Sequence, residues 1–168
     1  APKPDAPPPP ERPVDEAAQA VLELWPLILI ADLNSPLAYR PAILEAWWPG
    51  QVAAVGETAA SERAAVYYSL LDAMGYFMPD AVWAPLLNGP LTVTAYTPAP
   101  ALTRGLESAV KAKRIGETVL LCLLALGDVG PAGADPSTLH AVIRALRAVG
   151  LIRESRDVAL EAAIGRGL

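Results

Sequence analysis

Covalent catalysis by a hydroxyl or thiol needs a base within reach, and histidine is the usual one. The chain has a single histidine, His140, and a single cysteine, Cys122. His140 lies early in a helical pattern, between an apolar stripe and an arginine face, and no neighbouring residue pairs it with a nucleophile. Cys122 sits in the most apolar stretch of the chain, where a thiol serves as a small hydrophobe. One His and one Cys cannot assemble the usual structural zinc sets. No phosphate-binding glycine loop, dinucleotide fingerprint or nucleophile elbow is present. The carboxylate pairs Glu57 with Glu62 and Asp15 with Glu16 stand at helix starts, where acids complement the dipole. The expectation is no catalytic residue, no cofactor and no metal.

The elements that would have to position any site are helical. Slightly more than half of the 168 residues are hydrophobic, with one Phe and abundant Ala and Leu, which favours helices over sheets. That length suits one domain. The formal charge of -5 argues against nucleic-acid binding. Charge is uneven: residues 1–100 carry 4 Lys/Arg against 11 Asp/Glu, and residues 101–168 carry 9 against 7. No apolar run reaches the roughly 20 residues of a transmembrane helix; the longest, Ala20 to Ala31, contains Glu23 and Pro26. The chain begins in a proline run rather than at a methionine, which suggests a processed product or a piece of a longer protein.

Glu117 to Leu126 is apolar around its whole circumference, the pattern of a helix enclosed on all sides, and it is expected to be the central core helix. Gly127 ends it, and Asp128 to Asp135 reads as a loop of turn formers. Asp135-Pro136 caps and opens the next helix, whose stripe is Leu139, Val142, Ile143, Leu146 and Val149, with Arg144 and Arg147 on another face. After Gly150, the residues Ile152, Ser155, Ala159, Ala162 and Ala163 line one side of a last helix. Leu139, Leu146, Gly150, Ile152, Ala159 and Ala162 resemble one tetratricopeptide-type unit of about 34 residues. Ile143 and Ser155 depart from that pattern, standing where small residues and alanine are usual. This resemblance implies two antiparallel helices stacked in a repeat. The stretch also looks similar to Ala/Leu-rich C-terminal regions of large uncharacterised bacterial proteins, which implies no function.

Earlier in the chain, residues 1–13 hold seven prolines and read as a linker or tail, ahead of a single helical domain over 14–168. A helix from Val14 follows the stripe Val21, Leu24, Trp25, Ile28 and Asp32, with a kink or break at Pro26. Tyr39 to Trp48 is a short helix ended by Trp47-Trp48-Pro49-Gly50. A further helix over Ala60 to Met74 buries Val66, Tyr67, Leu70, Leu71 and Met74, and a short one covers Pro79 to Leu87. Residues near 89–100 form an extended connector to a helix carrying Leu102, Leu106 and Val110. The similar Gly56-Glu57-Thr58 and Gly116-Glu117-Thr118 hint at an internal duplication.

The fold expected is all-α, with antiparallel helical hairpins stacked as a bundle or short α-solenoid. The function expected is a non-catalytic scaffold or protein-protein interaction module. Its partner surface would use Trp47, Trp48 and Trp83, and the basic cluster Lys111, Lys113 and Arg114. The competing expectation is a helical pocket for an apolar small molecule or lipid, drawn from Tyr67, Tyr68, Tyr76, Phe77 and Met78.

Overall fold

The computed structural model describes the backbone of residues 16–31, 39–88 and 98–168, with the side chains of 24–31, 39–87 and 98–168. The Pro-rich segment 1–13 and most of the expected connector lie outside the described residues. The described regular structure is all helical: α1 (Glu16–Ala31), α2 (Pro41–Val55), α3 (Glu57–Ala73), α4 (Asp80–Asn88), α5 (Pro100–Lys111), α6 (Ile115–Leu126), α7 (Gly130–Gly133), α8 (Pro136–Ala148) and α9 (Ile152–Gly165).

The core is centred on α3, not on α6. α3 carries the expected stripe, with Val66, Tyr67, Leu70, Leu71 and Met74 all buried, and it packs most extensively on α8. From α8 come Leu139, Val142, Ile143 and Leu146; from α9 come Ser155, Ala159, Ala162 and Ala163, small enough for the two helices to close on each other. α1 lies against α9 and reaches α3 as well. Its inward residues are Trp25, Leu29 and Ile30, whereas Leu24 of the expected stripe faces out.

Local stop and start chemistry explains most boundaries. The Asp135 carboxylate accepts from the backbone N–H groups of Ser137 and Thr138 at 2.9 and 3.1 Å, with Pro136 at the first helical position. Burial raises the pKa of this carboxyl, but the hydrogen bonds from Ser137 and Thr138 together outweigh it and hold the group below the usual carboxylate range. Gly75 and Gly150 take left-handed φ values of 87° and 93° where α3 and α8 end.

Several expectations are corrected. Of the two alternatives expected at Pro26, the break is absent and α1 runs through it as one element. α2 runs on through Pro49 and Gly50 to Val55, because a proline in an exposed turn costs the helix one backbone bond without blocking the packing on α3. The loop after Gly127 is a 3₁₀ turn (Gly127–Val129) followed by α7, whose Ala132 touches α9 so closely that a Cβ on Gly165 would overlap it. Gly56 sits between α2 and α3 with φ 83°, whereas Gly116 lies inside α6, so the two Gly-Glu-Thr triplets are not locally equivalent.

Candidate functional site

α6 turns a mixed face inward, three smaller residues and Leu126, and leaves three other leucines outward. Its buried positions are Thr118, Cys122, Ala125 and Leu126. At 100° per residue these occupy one side of the helix, and Leu120, Leu123 and Leu124 fall on the other. Those leucines are 56%, 62% and 49% exposed. The enclosed helix expected from the sequence is therefore half uncovered. All-round apolarity arises here from two different faces: an inward face of Thr118, Cys122, Ala125 and Leu126 seated on α5 and α8, and an outward face of leucines in solvent. Ile115 at the start of α6 and Val129 just beyond its end are also exposed. Within α6 the only ionisable side chains are Glu117 and the buried Cys122.

The stretch Ile115–Gly133 is long and apolar enough to cross a membrane by length and composition. The chain nevertheless bends twice within it, at Gly127 and Gly130, where φ is 57° and 61°.

The basic cluster lies at the turn that leads into α6. Lys113, with a φ of 55°, forms the corner between α5 and α6. Its ammonium donates to the carbonyl of Ala148 at the last residue of α8, where cations offset the helix dipole. Arg114 pairs with Glu117 across one helical turn. Lys111 is exposed.

The three tryptophans sit elsewhere, half-buried. Trp47 of α2 meets Tyr67 and Tyr68 with ring centroids 5.0 and 5.8 Å apart; Trp83 of α4 stands edge-on to Tyr68 at 5.6 Å. Trp25 of α1 completes the group, 6.5 Å from Tyr67. Trp48 packs against the core margin. These rings hold four helices together through aromatic contacts that no single helical stripe discloses. The hydroxyls of Tyr67 and Tyr68, the indole N–H of Trp25 and the hydroxyl of Ser61 are buried with no hydrogen-bond partner among the described residues. Burial raises the pKa of both phenols; for Tyr67 the neighbouring Tyr68, Tyr76 and Tyr39 add to it. Of the other residues expected to line a pocket, Tyr76 donates to the carbonyl of Leu29 at 2.8 Å, and Phe77 points outward, 74% exposed.

His140 finds a partner the sequence did not indicate. Its Nε2 lies 2.6 Å from Oδ2 of Asp72, joining α8 to α3. No hydroxyl or thiol is hydrogen-bonded to the ring among the described residues. Cys122 is buried with its sulfur 4.0 Å from the carbonyl of Val142, and burial pushes the thiol up to about 11. Glu57 and Glu62 are exposed. Among the described residues no group of three His, Cys, Asp or Glu is placed to hold a metal ion. Comparison with protein-family models, with curated proteins and with solved structures returns no match for this chain.

Proposed function

We propose that this chain is a non-catalytic helical interaction module that docks a protein partner on the outward face of α6. The observation that carries this reading is the exposure of Leu120, Leu123 and Leu124 as one contiguous strip. A strip of this kind leaves apolar surface in water, and a partner that covers the leucines gives it a purpose. Of the basic cluster, Arg114 directly precedes the helix that carries the strip, whereas Lys113 is tied to the end of α8. Trp47, Trp48 and Trp83 offer only their exposed edges. The partner is a protein rather than a bilayer core, because 12 residues of α6 reach only about 18 Å against roughly 30 Å of hydrocarbon.

As a scaffold the domain fits a closed bundle better than a short α-solenoid or a tetratricopeptide-type array. In a solenoid each unit touches its neighbours alone, whereas here α1 meets α9 and α3 meets α8.

A photo-crosslinking residue at position 123, compared with one at the exposed Glu154, tests the docking face in source cells. Discrete protein adducts from 123 alone support the reading. Adducts only with lipid, or the same adducts from both positions, sink it.

A second reading, a pocket for an apolar small molecule, draws on the hydroxyls of Tyr67 and Tyr68, which have no partner among the described residues. Native mass spectrometry decides it: a stoichiometric adduct supports the pocket, and a bare mass removes it.

A further inference from the structure

α5 and α8 form the two walls of an open groove of about 440 Å³. Its floor is apolar: Leu106 and Val110 from α5, and Ala141, Ala145 and Ala148 from α8. On both helices the lining recurs at three, four and seven residues, so each wall is a straight stripe parallel to its helix axis. The alanines leave α8 without bulk along this face, which lets another helix approach within the 8–10 Å typical of packed pairs. From His140 to Ala148 the wall is about 12 Å long, some two turns of helix.

The rim is polar and mostly cationic. Lys111 of α5 and Arg144 of α8 are exposed, and neither has an ion-pair or hydrogen-bond partner among the described residues. Glu107 is the one acid on the lining, and His140 is already engaged by Asp72. Because Lys113, just beyond α5, bonds Ala148 at the end of α8, the C-terminal ends of both helices lie together. Lys111 therefore stands at the C-terminal end of the groove and Arg144 at the middle of its α8 wall.

We propose that this groove seats an amphipathic α-helix from a protein partner, with carboxylates on the edges that meet Lys111 and Arg144. The apolar floor takes the occupant's aliphatic stripe, and the two unpaired cations fix its direction by charge complementarity. The site shares with the reading above the premise that the domain docks proteins, but it uses a different surface from the leucines of α6.

The test is selection of a displayed library of amphipathic helical peptides against the full chain. The expected winners carry an aliphatic stripe flanked by Glu or Asp. They should lose roughly tenfold or more in affinity for each of Lys111→Glu and Arg144→Glu, and bind the Leu123→Ser variant as they bind the parent. Enrichment of basic or uncharged helices, binding that survives both charge reversals, or no enrichment overturns the proposal. So does dimerisation abolished by Arg144→Glu, or a fatty acid retained by the parent and lost from that variant. A result in which binding follows Leu123 alone removes the groove and leaves the α6 docking face standing.

Discussion

Truncating Leu123 and Leu139 to alanine in parallel measures which way α6 faces. Leu139 is fully buried between α8 and α3, where Leu→Ala leaves a cavity and costs about 2–5 kcal/mol. Leu123 keeps 62% of its exposure, so about two-fifths of its surface leaves water on folding. Full burial of a leucine side chain is worth about 1.5–3 kcal/mol, which makes the share at Leu123 about 0.6–1.2 kcal/mol. Alanine retains part of that and opens no enclosed cavity, so the expected loss is below about 1 kcal/mol. Urea unfolding followed by circular dichroism reads both values, and unchanged slopes would confirm that only stability has moved. In thermal unfolding, each kcal/mol at this chain length corresponds to about 2–4 °C in Tm. Equal losses for the two variants at every protein concentration would refute the outward face of α6. A loss at Leu123 that fades on dilution would mean that the leucines are covered by self-association.

Tyr68→Phe removes a buried hydroxyl that has no partner among the described residues, so stability should hold within about 0.5 kcal/mol or rise; a loss of about 1–2 kcal/mol would reveal a hydrogen bond. Asp135→Ala should cost about 0.5–2 kcal/mol at neutral pH through loss of the α8 cap. Its folded pKa is depressed, so the stabilising contribution is full above the unfolded carboxylate value of about 3.9 and is lost as pH falls through the folded value. Acid titration of parent and variant should therefore converge below about pH 4, and a constant gap would contradict the cap. Gly165→Ala should destabilise by about 1–3 kcal/mol because its new Cβ overlaps Ala132 of α7. Unchanged urea midpoints would mean that α7 yields without cost.

Much of the fold was legible because the local chemistry of helix ends is written in adjacent residues. Asp135-Pro136, Gly75 and Gly150 each mark a boundary by their own side chain or lack of one. Stripes on α3 and α8 were equally readable, since polar residues on their other faces give the period a contrast. α6 had no such contrast. With Leu120, Leu123 and Leu124 on one face and Thr118, Cys122, Ala125 and Leu126 on the other, a hydrophobic count treats both alike, and only packing tells which face is covered. Trp47 and Trp83 could be noticed, but their seats against Tyr67 and Tyr68 depend on how α2 and α4 cross α3. The pairing of His140 with Asp72 spans the distance between two helices that sequence spacing does not connect. The floor of the α5–α8 groove was hidden for the same reason, being made of alanines that read as ordinary helix formers.

The closure of α1 on α9 bears on the order in which the chain acquires its shape. Neighbouring pairs such as α5 with α6 and α8 with α9 meet across short turns and can form as soon as both members leave the ribosome. α1 is made first among the described helices and finds α9 only after everything between them has been synthesised. Until then the seat of Trp25, Leu29 and Ile30 is incomplete, and these side chains ride on a nascent chain as exposed apolar surface. Among the described helix pairs this contact closes the longest stretch of chain, so it carries the largest loop-closure entropy cost of any of them.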